Sequence, residues 1–469
     1  MTSSSFGSIN TALTSLYAQR RGLDVTGQNI ANANTEGYSR QRVDMQAQVG
    51  ATTAAIYART NGVGTGVAVT DVQRMRDEFL ENRGRAEHGK STYMATQTAA
   101  YNAVEDVFAE PSDTALAAQL HDMWGGWNDV ANNPQLTSTR ATLLQQSGTV
   151  ADGLNTAHAS LSNQWSQNKT QLSAYVEEVN TAGKAIAQLN ESIVQAKASG
   201  MTVNELEDRR DLQVMRLAEL AGATASARPN GALDVFIGNS TLVSEFTARE
   251  LEPVGVNRLE DLDADPSDDP TLRWKDTRTP VQAGGVMGAV QDTLSKLIPA
   301  ISTALDSVAK NLADKVNTLH SSGFSKDGST GLDFFTSIDG GDITAASIRL
   351  ALSEPDQVAT GTSPDSLDNS IADQMADLGA SVDGPDREYQ GMIGQLGVAS
   401  QASARRTEIQ ATVTEQVDAS REAQAGVNLD EEMTNLLTYQ RGYEAASRVL
   451  TTIDSMLDQL INRTGLVGR

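Results

Sequence analysis

Leu429, Leu436, Tyr443, Leu450 and Leu457 recur every seven residues, and Tyr439, Ala446, Ile453 and Leu460 form a second track three residues on. Together they make an a/d seam over about four heptads, the pattern of a helix that packs along another helix. A helix with so narrow an apolar stripe is marginal alone in water and needs a partner. The opposite end of the chain offers one. Ile9, Leu16, Leu23 and Ile30 also recur every seven residues, with Phe6 and Leu13 on a second track that lapses at Arg20 and Gly27. Thr2 to Ser5 are suited to cap that N-terminal helix, and Asn34-Thr35-Glu36-Gly37 to end it; Asn428 or Asp430 can cap the C-terminal one, and Gly465 lies past its end. Periodicity alone leaves open whether the two seams meet only within one chain or mediate assembly.

Between the ends, residues 79–110, 113–131 and 136–220 carry Ala, Leu, Gln and Glu at helical spacing, with breakers at Pro111 and at Asn132-Asn133-Pro134. Residues 62–71 alternate small and apolar side chains like a short hairpin. From 223 to 256 strand-like runs alternate with the turns Pro229-Asn230-Gly231 and Gly238-Asn239-Ser240, which reads as a β-meander. A solvated acidic loop at 260–270 precedes a helix over about 285–320, a mixed β segment over 332–385, and a long helical stretch over 386–462 with a break at Gly426.

The expected fold is therefore mainly α with β insertions (α+β), built as discontinuous nested domains. Residues 1–34 and 428–469 form the terminal coiled-coil assembly domain, and 35–222, 285–331 and 386–427 a long helical-bundle body. Residues 223–284 make a β-rich segment and 332–385 a small, outward β-rich module. For 469 residues this matches a rough allowance of about 150 per domain.

Composition narrows the chemistry. With no cysteine, the chain has no disulfides, no thiolate metal site and no thiol nucleophile. A formal net charge of −24 repels phosphate backbones, so no nucleic-acid partner is expected. No apolar run approaches the roughly 18–20 residues of a membrane span, and the first twenty residues show no secretory leader; neither membrane insertion nor cleaved-leader secretion is expected. The four histidines, His88, His121, His158 and His320, form no ligand pair and read as surface or boundary residues. The loop at 62–66 lacks the spacing of a nucleotide fingerprint. Asp261, Asp263 and Asp265 suggest a calcium loop, but Pro266 and Leu272 stand where it needs Gly and Glu. In the cluster Glu205, Glu207, Asp208, Arg209, Arg210 and Asp211, i,i+3 and i,i+4 spacing suits ion pairs on the helix surface, with a tertiary lock by Arg209 or Arg210. No nucleophile, base and orienter set emerges, so no enzyme, cofactor or metal is expected.

The run Asn29-Ile30-Ala31-Asn32-Ala33-Asn34-Thr35-Glu36-Gly37-Tyr38-Ser39-Arg40 closely resembles the motif shared by rod, hook and hook-associated proteins of the bacterial flagellum, and its Tyr-Ser-Arg-Gln ending resembles the FlgK family. Residues 62–85, 110–144, 186–220, 232–243, 320–335 and 427–461 are similar to successive parts of that family. Segments 257–280 and 336–385 depart from it.

The resemblance implies a structural, extracellular subunit at the junction of hook and filament. It would form a homo-oligomeric ring zone between hook protein and hook-associated protein 3. It would leave the cytoplasm through the flagellar type III export apparatus with the help of an export chaperone. The expected assembly residues are Ile9, Leu13, Leu16, Leu23, Asn29, Ile30, Asn32, Asn34, Gly37 and Tyr38 at one end, and Leu436, Tyr439, Tyr443, Leu450, Ile453, Leu457 and Leu460 at the other. A rod or hook subunit would share the motif at 29–38 but should lack the Asp208 to Asp211 segment and the helical body. An enzyme housed in the β insertions and a cytosolic coiled-coil scaffold are the rivals from other classes.

Overall fold

The computed structural model describes residues 5–48, 64–262, 268–364 and 367–463. Thr2 to Ser4 of the expected cap, Gly62, Asp263, Asp265, Pro266 and Gly465 lie outside the described residues.

Helix α1 (Ser5–Ala31) ends where the Asn and Gly residues demand it, and Gly37 takes the left-handed conformation (φ 76°) that lets the chain reverse. Strand β1 (Gln41–Gln48) then pairs antiparallel with β2 (Gly66–Arg74). The expected hairpin within 62–71 is corrected: that segment supplies only the second strand. The first, QRVDMQAQ, hides its alternation behind glutamines and buries only Gln41 and Val43. Val43 and Val72 pack with Val25 of α1 in a small apolar cluster, which seats the hairpin on the helix.

Helix α2 (Glu78–Phe108) is capped by Asp77, whose carboxylate accepts from the amides of Phe79 and Leu80. Next come α3 (Leu116–Asn132), α4 (Thr137–Ala198) and α5 (Asn204–Ala221). Residues 136–220 are thus two helices, not one; Gly200 at φ 71° turns the chain between them. α4 has 62 residues and is about 93 Å long at 1.5 Å per residue. Its buried positions (Leu143, Val150, Leu154, Leu161, Trp165 among them) fall at helical spacing.

A meander of β3 (Thr224–Ala227), β4 (Leu233–Ile237), β5 (Ser240–Ser244) and β6 (Thr247–Ala248) follows, then a separate sheet of β7 (Leu251–Val254), β8 (Thr271–Trp274) and β9 (Pro280–Val281). α6 (Gly285–Asp292) continues through a π turn at Thr293–Leu297 into α7 (Ile298–Ser322). Pro299 lacks an N–H and would clash with the carbonyl four residues back, which accounts for the widened turn.

Residues 324–361 form two two-stranded pieces from β10 (Phe324–Ser325), β11 (Phe335–Ser337), β12 (Ile348–Leu350) and β13 (Ala359–Gly361), with β10 paired to β13 and β11 to β12. The expected β segment 332–385 also carries a helix, α8 (Ser370–Asp377). Its Phe334, Phe335, Ile348, Val358 and Met375 belong to the same apolar core as Trp127, Leu143 and Leu312. α9 (Pro385–Ala425) lies along α2, and α10 (Leu429–Asp458) returns along α1. Asn428 caps α10 by accepting from the amides of Asp430 and Glu431. The fold is mainly helical, with small sheets set into a helical body and long terminal helices paired at one end.

Two histidines sit deeper than expected. His158 is buried among core residues of α4, and His320 is 1% exposed. His320 uses both ring nitrogens, Nδ1 to the Leu332 carbonyl (2.7 Å) and Nε2 from the Ala359 amide (3.0 Å), which fixes the neutral Nδ1–H tautomer. Burial holds its pKa below the ordinary value.

Candidate assembly interface

The terminal helices run antiparallel, because Asn29 meets Glu432, Gly22 meets Tyr439, and Gln19 meets Gly442. A Cβ on Gly22 would lie 2.7 Å from the Tyr439 ring, and one on Gly442 2.8 Å from Gln19. Two glycines thus let the helices approach closely. The face of α1 that this contact and the hairpin cover consists of Ala12, Ala18, Gly22, Val25, Thr26 and Asn29.

The heptad residues are placed differently. Ile9, Leu16, Leu23 and Ile30 are half-buried and Leu13 is exposed. On α10, Ala446 and Ile453 are buried, Leu436, Tyr439, Leu450 and Leu457 are half-buried and Tyr443 is exposed, as is Leu460 in the π turn just past the helix. Flanking them, Met433, Leu437, Val449 and Met456 are each about half exposed. A groove of about 780 Å³ runs between the helices over small residues such as Ser8, Thr11, Ser15, Gly442 and Ala445. The pair therefore buries a narrow small-residue face within the chain and leaves its larger apolar side chains partly in solvent.

At the base of the pair the motif residues converge. Asn29, 1% exposed, donates from Nδ2 to the Gln41 carbonyl (2.9 Å) and to Glu432 (3.0 Å), while its Oδ1 accepts from the Tyr38 hydroxyl and the Gln41 amide, both at 2.9 Å. This one amide side chain joins α1, the turn, β1 and α10. Burial, followed by the charges of Asp208, Glu205 and Glu432, pushes the Tyr38 phenol up to about 12, so it remains a donor. Arg40 ion-pairs with Glu432 and Glu431, both at 2.8 Å, and its amide donates to the Ala425 carbonyl at the end of α9. Asn32 and Thr35 hold the helix end through local bonds, and Asn34 is exposed.

A second layer ties this turn to the body. The Ser39 hydroxyl and amide donate to Asp208 of α5 at 2.8 and 3.2 Å. Arg74 at the end of β2 reaches Asp208 and Asp211 (both 2.8 Å) and Glu207 (2.9 Å). Asp211 also pairs with Arg76 and, at 3.4 Å, with Arg85 of α2. Glu81 bridges Arg76 (2.6 Å) and Arg421 of α9 (3.0 Å). Burial alone would raise the Asp211 carboxyl, but Arg76, Arg74 and Arg85 outweigh it and hold the pKa below the usual carboxylate range. Glu81 is likewise lowered, by Arg421 and Arg76 against the opposing effect of burial.

The expected surface pairs within 205–211 are therefore corrected. Asp208, Arg210 and Asp211 are buried, and Asp208 and Asp211 pair with cations from other elements. Arg210 provides the tertiary lock, donating to Asn190 (3.0 Å) and the Gly231 carbonyl (2.8 Å), whereas Arg209 is exposed. Sequence reasoning missed Arg74, Arg76, Glu81, Arg421 and Glu432. Their only sequence signal is charge beside a strand end or helix start, which is too common to single them out.

His88 of α2 extends the same seam, with Nε2 2.9 Å from Asp418 of α9 and Nδ1 3.4 Å from Glu219 of α5. Glu219 raises the imidazole pKa, partial burial opposes it, and Asp418 adds to the rise. The stabilisation is therefore full below the unfolded value of about 6.5 and is lost as pH rises through the elevated folded value. His88→Asn should cost about 1 kcal/mol at pH 6 and nothing at pH 9. Urea denaturation of both proteins across that range checks this, and a pH-independent difference would refute it.

Among the described residues no group of three or more His, Asp or Glu side chains is arranged to hold a metal ion, and no helix is long and apolar enough to cross a membrane. Residues 101–335, half of the chain, match the model of the flagellar hook-associated protein FlgK helical domain. Residues 9–38 match the flagella basal body rod protein model, and 421–463 that of the flagellar basal body rod FlgEFG protein C-terminal region. Flagellar hook-associated protein 1 of Bacillus subtilis (strain 168) is 29% identical, over 99% of this chain and 100% of its own length. That of Escherichia coli (strain K12) is 28% identical over 70% of this chain and 59% of its own length. Among solved structures, the flagellar hook junction protein FlgK from Burkholderia pseudomallei shares the fold, with a TM-score of 0.61 at 16% identity over 73% of this chain and 99% of that one. The match over half of the chain leads to one conclusion: the chain belongs to the FlgK family of flagellar hook-associated proteins and is a structural, axial component of the bacterial flagellum.

Proposed function

We propose that the chain is the subunit of a ring zone joining hook to filament, and that it polymerises through segments 1–34 and 428–469. The observation that carries this reading is the α1–α10 pair. Its base is locked to the body by Asn29, Arg40 and Glu432, while Leu13, Tyr17, Met433, Leu437, Val449, Met456 and Leu460 remain in solvent. So many exposed large apolar side chains on one helix pair suit burial against neighbouring subunits. Each would contribute part of the roughly 1.5–3 kcal/mol of a fully buried side chain.

In this reading the seam residues Ile9, Leu13, Leu16, Leu23 and Ile30 meet Leu436, Tyr439, Tyr443, Leu450, Ile453, Leu457 and Leu460 of the same and adjacent chains. Asn29, Asn32, Asn34, Gly37 and Tyr38 set the angle between this inner layer and the helical body of 35–222, 285–331 and 386–427. Residues 223–284 and 332–385 form the outer layers. The partners are further copies of the chain, hook protein and hook-associated protein 3, reached after type III export with an export chaperone. The match over 101–335 favours this role over that of a rod or hook subunit, which the end segments alone would fit equally.

Deleting the gene should give cells with hooks but no filaments and with filament subunits in the medium, seen by electron microscopy and immunoblotting. Normal filaments on hooks would refute the proposal, and loss of the hook itself would move the chain to the rod or hook.

A further inference from the structure

The groove of about 780 Å³ between α1 and α10 has no charged residue in its lining. Thr11 and Ser15 of α1 and Gly442, Ala445 and Val449 of α10 are among the residues that form it. The large apolar side chains of α1 stand on the other side of the helix. Leu13 is two residues from both Thr11 and Ser15, which at about 100° per residue turns it about 160° away from them. Tyr17, 64% exposed, stands likewise to Ser15 and Gln19. Gly22 faces Tyr439 and Gln19 faces Gly442 across the antiparallel pair, so Leu13 and Tyr17 are level with the wall of Gly442, Ala445 and Val449. Charge follows the same division. Arg441 and Arg448, the basic residues of α10, stand four before and three after Ala445 and share its face. Glu444 is two residues from both Gly442 and Ala446 of the groove, hence on the far side, and Asp454 and Asp458 continue its stripe at helical steps of three and four, with Met433 and Leu437 before it. None of these five charged side chains is ion-paired among the described residues.

A helix pair with a small-residue groove on one side and a large apolar ridge on the other cannot bring the two together within one chain. A second copy at the same height can, and it brings an acidic stripe to a basic one. We infer that the groove receives Leu13 and Tyr17 of a second copy of this chain, with the acidic stripe of that copy's α10 turned toward Arg441 and Arg448. The inference rests on the ring-zone reading and adds the polarity of the contact: each copy gives its ridge on one side and its groove on the other. Such a contact is heterologous, so it continues from copy to copy until a ring closes, where a two-fold contact would stop at a dimer.

The chain has no cysteine, so disulfide trapping is specific. The full chain with Leu13→Cys and Ala445→Cys together, expressed in the deletion strain, is oxidised in sheared flagella that retain their hooks. A ladder of covalent dimers, trimers and higher oligomers is expected, and monomer alone from either single variant. The inference is overturned if the assembled double variant stays monomeric, if it links to a different flagellar protein, or if Leu13→Cys by itself gives dimers, the mark of a two-fold contact. Ala445→Trp fills the groove from an exposed position. It should leave the denaturant midpoint of the isolated chain unchanged and lower the number of filaments per cell tenfold or more. Normal filaments with Ala445→Trp overturn the inference whether or not the cysteine pair assembles. Failure of the ring-zone reading shows separately, as normal filaments in the deletion strain itself.

Discussion

Asp211→Asn is expected to be among the most destabilising single substitutions in the helical body, costing about 3–5 kcal/mol. The asparagine nearly matches the aspartate in shape, so the loss is one of charge. Arg74, Arg76 and Arg85 converge on this carboxylate, which is 9% exposed, and the amide would turn N–H donors toward at least one of them. The cations cannot escape to water without opening the contact between the hairpin, α2 and α5. Denaturant midpoints should fall sharply, and limited proteolysis should cut first near the β1–β2 hairpin. Asp208→Asn, which gives up Ser39 and one of the Arg74 contacts, should show the same pattern with a smaller effect. Because the Asp211 pKa is lowered on folding, its contribution is present above the unfolded carboxylate range near 3.9 and disappears as pH falls through the folded value. An Asp211→Asn chain as stable as wild type at pH 7 would mean that the network is not what holds the junction.

The second large effect is on assembly. Met433→Asp with Leu437→Asp should leave the isolated chain as stable as wild type, within about 0.5 kcal/mol, since both side chains are about half exposed. The same pair of substitutions should abolish filament attachment, because a neighbouring subunit would have to bury two carboxylates without partners. Complementation of the deletion strain, scored by filaments per cell and by the amount of variant exported, separates failed assembly from failed export. Leu450→Asp should also block assembly, but Leu450 is half-buried in the chain, so part of its effect would be on folding. Normal filaments with the Met433→Asp, Leu437→Asp chain would show that this flank of α10 is not an interface.

How far the sequence reaches is visible in the two ends. The a/d tracks point to helices within 1–34 and 428–469 that pair; the structure has them at 5–31 and 429–458, side by side, and Asn428 caps where its side chain suggests. The tracks do not say which face meets which. On α1 the chain's own contacts bury Ala12, Ala18, Gly22 and Val25 instead of the leucines and isoleucines of the track, because glycine and alanine let two backbones come close. Strand β1 escaped notice for a related reason: with only Gln41 and Val43 buried, it has almost no apolar alternation to detect.

Local chemistry therefore determined the helices, their breaks at Gly37 and Gly426, and the meander after 223, since each depends on residues within a few positions of one another. Tertiary structure alone decided the polar junction. Ser39 and Asp208 are 169 positions apart, Arg74 and Asp211 137, and Asn29 and Glu432 403. Charged residues carry no periodicity that names their partner, and a pair becomes specific only when folding removes water from around it. In this chain that happens where the hairpin, α2, α5, α9 and α10 meet.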